Sequence, residues 1–112
     1  MNFEIGTDIL NIKRLENILK KYPHFINKYY TKEEIKIASS LKNPLSFYAT
    51  RFAAKEAIFK ALKGKFDFSE IEILKNMDGS PNPKILNHND IKIKLSLSYE
   101  EDYAIAYCFV LF

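Results

Sequence analysis

The chain has 112 residues, a net charge of +3 and a hydrophobic share of 47%. That length suits a single domain, residues 1–112, with a real core, and no polar or charged tract is long enough for a disordered chain. The mild basic excess permits an acidic partner without demanding nucleic acid.

Nine Phe and seven Tyr predict a core built largely from ring packing. Cys108 is the single cysteine, which excludes an internal disulfide framework or a CxxC metal site and makes it a small buried hydrophobe. One cysteine, and no basic leader in MNFEIGTDIL, point to the cytoplasm. No apolar run approaches the roughly 20 residues of a membrane span, so none is expected.

In chain order, FEIGTDIL alternates Phe3, Ile5 and Thr7 against Glu4, Gly6 and Asp8, a strand expected to end near Asp8. NIKRLENILKKY follows with Ile12, Leu15, Ile18, Leu19 and Tyr22 at helical spacing, and Lys13, Arg14, Lys20 and Lys21 on its other face. Pro23 stops it or starts a new turn. TKEE is a capping-box signature, Thr31 to Glu34, for a helix expected to reach Leu41. The longest helix is expected between Pro44 and Gly64. Beyond it, FSEIEILKN reads as a strand, MDGSPNP as turn chemistry, and IKIKLSLSY as a strand with Ile91, Ile93, Leu95, Leu97 and Tyr99 on one face. YAIAYCFVLF closes the chain as a strand apolar on both faces, which must be covered twice; a neighbouring subunit is a candidate for the second cover. Helices come first and an antiparallel hairpin last, so the fold class is α+β.

Glu56 raises the chemical question. In RFAAKEAIFKAL it lies between Phe52, one turn back, and Phe59, three residues on, along the stripe that should meet the core. An i,i+4 pair with Lys60 contributes only about 0.2–0.5 kcal/mol, while removing an unpaired carboxylate from water costs several kcal/mol. Either the face is exposed or a stronger partner, such as a divalent cation, compensates. Mg²⁺ takes one or two carboxylates and completes its shell with waters and phosphates. Asp8, close to a predicted strand end, is the candidate second carboxylate; it would equally serve as a helix N-cap. Arg51, Lys55 and Lys60 on the same helix suit phosphate oxygens or an ordinary solvated face. Ser96 and Ser98 read as edge-strand polar residues or as hydroxyl donors to a phosphate.

Taken together, GTDI with Arg14 six residues after Asp8, then RFAAKEAIFKAL, DGSP and LSLSYEEDYAIA resemble holo-(acyl-carrier-protein) synthase, the short single-copy branch of the 4′-phosphopantetheinyl transferases. FINKYYTKEEI also matches a family segment, with Lys28 and Tyr30 in place of commoner residues. The resemblance covers essentially the whole chain. It implies a 4′-phosphopantetheinyl transferase-like fold, with the N-terminal strand and helices packed on a C-terminal antiparallel sheet. It implies transfer of the phosphopantetheine arm of coenzyme A to a serine of apo acyl carrier protein in fatty acid biosynthesis, releasing adenosine 3′,5′-bisphosphate. By the same resemblance Asp8 and Glu56 would hold Mg²⁺ and Lys60 would neutralise the pyrophosphate, these three forming the catalytic group. Arg51, Lys55, Gly79, Pro81, Ser98 and Tyr99 would bind coenzyme A. A bound water or a nearby carboxylate would take the serine proton. Lys13, Arg14, Lys20 and Lys21 would form a docking face for the acidic carrier protein, Arg14 by its match to the family and the rest by charge and helical phase. Short members of the family are homotrimers with active sites between subunits. Tyr99 departs from the pattern: the family commonly has His there, and Tyr cannot carry a proton near neutral pH. That departure motivates the alternative of a degenerate, non-catalytic carrier-binding module. No nucleic-acid partner is expected, because the basic residues are not interleaved with exposed aromatics.

Overall fold

The computed structural model describes residues 1–112. Strand β1 (Phe3–Asn11) leads into helices α1 (Ile12–Lys21), α2 (Phe25–Tyr29), α3 (Lys32–Ser39) and α4 (Leu45–Ala61). A 3₁₀ turn (Phe68–Glu70) then precedes β2 (Ile71–Lys75), β3 (Pro81–Ile85), β4 (Lys92–Glu100) and β5 (Tyr103–Leu111). β1, β5 and β4 form an antiparallel three-stranded sheet with β5 in the middle, and β2 pairs antiparallel with β3 in a separate ribbon. The α+β class read from the sequence is the class observed.

α4 crosses the inner face of β1 and β5 and lies close to it because both surfaces are small. Ala49, Ala53, Ala57 and Ala61 recur every four residues and are at most 2% exposed, and they meet Ala104, Ala106 and Gly6 on the sheet side. At Gly6 the approach is backbone to backbone: a Cβ there would sit 2.0 Å from the Ala57 carbonyl oxygen. One flank of α4 packs against rings. Phe52 lies 5.4 Å from Phe25, 6.0 Å from Tyr29 and 5.2 Å from Phe68, centroid to centroid.

The element ends have local causes. Thr31 and Glu34 form the expected capping box, each side chain bonded to the other's backbone amide. α3 stops at Ser39, two residues short of Leu41. α4 stops where Lys63 and Gly64 turn left-handed and Gly64 N–H donates to Phe59 O at 2.9 Å. β1 does not end near Asp8: its ladder with β5 runs on to Asn11, paired with Tyr103. The N-cap of α1 is therefore Asn11, whose side chain accepts from the Arg14 amide at 3.1 Å, and Asp8 is released from that role. β3 was hidden in the sequence by Pro81 and Pro83, which read as turn residues. Both sit in a strand with one paired edge, where a missing N–H is tolerated.

β5 has the two-faced character expected. Ala104, Ala106, Cys108 and Val110 are fully buried under α4. On the other face Ile105 and Tyr107 are exposed, beside Ile5 and Ile9 of β1, and nothing in the chain covers that row. Ile91, just before β4, and Ile93, Leu95 and Leu97 on it are only partly buried, and Tyr99 is 59% exposed, so the apolar stripe ends before Tyr99.

Candidate active site

Period-two alternation puts Gly6, Asp8 and Leu10 on the α4 side of β1. Because Gly6 is pressed against Ala57, Asp8 reaches the helix beside Glu56 and Lys60, which are themselves one turn apart. Lys60 Nζ lies 3.1 Å from Asp8 Oδ1 and donates to Thr7 O at the same distance. The ammonium thus pairs across to the strand, and the Glu56–Lys60 pair considered from the sequence does not form as a salt bridge. Glu56 is half-buried. Burial, and next the Asp8 carboxylate, push its pKa above the ordinary glutamate value, with Lys60 pulling the other way. Asp8, Glu56 and Lys60 are thereby brought together from opposite ends of the sequence.

A second group gathers at the other end of α4. Arg51, Gly79, Pro81, Ser98 and Tyr99 line one open cleft of about 490 Å³. Five of the six residues expected to bind coenzyme A therefore share a wall. Arg51 is 6% exposed, and its guanidinium stacks 4.3 Å over the Phe47 ring. Its hydrogen bonds are long, 3.4 Å to Ile73 O and 3.3 Å to Thr50 Oγ1, and no carboxylate pairs with it. Burial lowers its pKa, with Glu34 opposing. A buried guanidinium with only long hydrogen bonds, opening into a cleft, has the chemistry to receive an anion. Lys42 and Lys75 add two cations to the rim. Sequence reasoning passed over both, because an exposed lysine in a loop or at a strand end carries no pattern.

Lys55 does not join this group. Its side chain is fully buried and paired with Glu34 Oε1 at 2.8 Å, and its ammonium also donates to Phe68 O and Ile71 O. No surface remains for a phosphate, so the coenzyme A role expected for Lys55 is withdrawn. Helical phase alone would keep Lys55 beside Arg51, about 40° away around α4; what removes it is tertiary, because α3 brings Glu34 and the 3₁₀ turn brings the Phe68 carbonyl onto its ammonium. Phase does separate the two groups, since Arg51 and Glu56 point about 140° apart.

Lys13, Arg14, Lys20 and Lys21 are all exposed and make one stripe along α1. Lys13 approaches Asp102 at 3.7 Å, and Lys21 lies over the Tyr22 ring. The stripe stays open to solvent, with one weak internal pair.

The donor set fits a divalent cation on this structure's own terms. Two carboxylates converge, one is half-desolvated and repelled by the other, and no third acidic or imidazole ligand crowds them. Such a site leaves coordination positions for waters and phosphate oxygens, the arrangement Mg²⁺ prefers.

Residues 4–108 match the model of the 4′-phosphopantetheinyl transferase superfamily. Holo-[acyl-carrier-protein] synthase of Thermodesulfovibrio yellowstonii is 42% identical, over 92% of this chain and 93% of its own length. The Wolbachia pipientis protein of the same name is also 42% identical, over 96% and 95%. Among solved structures, the Neisseria meningitidis holo-[acyl-carrier-protein] synthase superposes with a TM-score of 0.87 at 30% identity, covering 96% of this chain and 97% of the other. That of Bacillus anthracis, solved in complex with CoA (3',5'-ADP), gives 0.85 at 31% identity, over 96% and 94%. The chain therefore belongs to the 4′-phosphopantetheinyl transferase superfamily, in its holo-(acyl-carrier-protein) synthase branch.

Proposed function

We propose that this protein transfers the 4′-phosphopantetheine group of coenzyme A to a serine of apo acyl carrier protein, with Mg²⁺, in fatty acid biosynthesis. The observation that carries the reading is the meeting of Asp8, Glu56 and Lys60 on one wall, with Glu56 half-desolvated beside a second carboxylate. The serine hydroxyl would give its proton to a water or a nearby carboxylate as its oxygen bonds to the phosphorus bearing the pantetheine arm. The bond from that phosphorus to the bridging pyrophosphate oxygen breaks, and adenosine 3′,5′-bisphosphate leaves with that oxygen. Asp8 and Glu56 would hold the metal, which when bound neutralises charge on the pyrophosphate. Lys60, 56% exposed at its side chain and tethered only to Asp8 and Thr7 O, is free to turn its ammonium toward a phosphate oxygen. Arg51 and the cleft lined by Gly79, Pro81, Ser98 and Tyr99 take the nucleotide end of the donor. The α1 stripe of Lys13, Arg14, Lys20 and Lys21 receives the acidic carrier.

The separation of the two groups around α4 supports an active site shared between subunits, the carboxylates of one facing the nucleotide cleft of the next, and the family resemblance makes that assembly a homotrimer. The uncovered row of Ile5, Ile9, Ile105 and Tyr107 supplies an apolar surface for that contact. A cytoplasmic site of action follows from the substrates. The test is intact-mass spectrometry of apo acyl carrier protein incubated with the protein, coenzyme A and Mg²⁺, with an EDTA control. Gain of one phosphopantetheine, abolished by EDTA, is expected. No gain, with the carrier still retained on a column of the protein, would replace transfer by carrier binding alone.

A further inference from the structure

Glu34 and Lys55 are both fully buried, and neither belongs to the carboxylate site or the nucleotide cleft. A buried ion pair is not needed to hold two helices together: apolar replacements are often neutral or stabilising. What apolar side chains cannot do is hold main-chain groups at set positions. Lys55 Nζ donates to the carbonyls of Phe68, at 2.9 Å, and Ile71. Glu34 accepts from the amides of Thr31 at 2.9 Å and Ile73 at 2.8 Å. Together they fasten the 3₁₀ turn and the start of β2 to α3 and α4.

The fastened turn carries Phe68. Its ring lies 5.2 Å from that of Phe52 and 5.4 Å from that of Phe59. Those two rings flank Glu56, four residues before it and three after. We propose that the Glu34–Lys55 pair is a positioning device for Glu56: it holds the Phe68 ring across Phe52 and Phe59 and so sets the apolar wall against which Glu56 presents its carboxylate. Both residues act through Phe68 and touch no reacting atom. The inference rests on the reading of Glu56 as a metal ligand.

Two variants test it. Phe68→Leu keeps the pair and removes the ring. The double variant Glu34→Leu/Lys55→Met removes the pair without stranding a buried charge. Each is checked for folding by circular dichroism, then assayed for kcat and for KM of coenzyme A. Mn²⁺ binding is followed separately by the free-ion paramagnetic resonance signal, with adenosine 3′,5′-bisphosphate present. Both variants should bind Mn²⁺ more weakly and lose on the order of 100-fold in kcat, the cost of about 1 Å of misplacement. In Phe68→Leu the KM of coenzyme A should hold, because the Arg51 cleft is untouched, and Phe68→Tyr should restore both readouts. Wild-type kcat and Mn²⁺ affinity in Phe68→Leu, or in the folded double variant, would overturn the positioning role. If the wild-type protein itself showed no metal-dependent transfer, the functional reading would fail first, and this inference with it.

Discussion

Gly6→Ala is the sharpest perturbation the structure offers, because the clash is with backbone. The added methyl would lie 2.0 Å from the Ala57 carbonyl oxygen, 2.9 Å from its carbon and 3.2 Å from the Ala61 Cβ. No flexible side chain can swing away, so β1 and α4 must part by about 1 Å to restore ordinary contact. Overpacking of this kind costs about 1–3 kcal/mol, which corresponds to a fall in Tm on the order of 10 °C for a domain of this size. The parting also draws Asp8, two residues on, away from Glu56 and Lys60. A displacement of that size at reacting groups costs about 100-fold in rate. Scanning calorimetry and single-turnover transfer would measure the two effects on one sample below its Tm. A variant that melts lower yet transfers at the wild-type rate would refute the claim that close packing at Gly6 sets the distance between the carboxylates. A variant with unchanged Tm would refute the clash itself.

Four further outcomes are expected. Glu56→Gln should abolish metal-dependent transfer. Because the native pKa of Glu56 is raised, stability from its protonated form is full below the unfolded value and is lost as pH rises through the folded one. In EDTA, therefore, Glu56→Gln should melt above wild type, by a margin that grows from about pH 4.3 upward and then levels; a wild-type protein that melts higher at neutral pH would contradict the burial argument. Arg14→Glu should raise the KM of the carrier protein by about tenfold, equivalent to about 1.4 kcal/mol, and leave that of coenzyme A unchanged; if both rise together, α1 is not a separate docking face. Tyr99→His should add a limb near pH 6.5 to the rate profile if this position moves a proton, and an unchanged profile would confine it to lining the cleft. Ile105→Asp, in the middle of the uncovered sheet face, should yield a smaller species by light scattering and abolish transfer while far-ultraviolet circular dichroism stays native; an unchanged mass would move the subunit contact elsewhere.

Much of the fold was legible because its local rules are strong. The capping box at Thr31, the left-handed stop at Gly64 and the two apolar faces of β5 each depend on neighbours in sequence or on a short period. Glu56 announced itself by sitting where a carboxylate should not. Other features were misread because their causes lie far along the chain. Asp8 stands mid-strand since β5, nearly a hundred residues later, extends the ladder to Asn11. Pro81 and Pro83 belong to a strand because β2 pairs with one edge only.

The sequence by itself determined the class of fold, the boundaries of α1, α3 and α4 to within a few residues though not the short α2, and the carboxylate and basic residue types from which a site could be built. It did so because propensity, capping and periodicity are local properties. Only the tertiary structure decided which lysine does which job. Lys60 reaches Asp8 and Lys55 turns inward to Glu34, although both lie on one helix within a turn and a half of each other. Their difference is a matter of helical phase relative to β1 on one side and to the 3₁₀ turn on the other. That relation comes into being only when the strand from the start of the chain packs against α4 at Gly6.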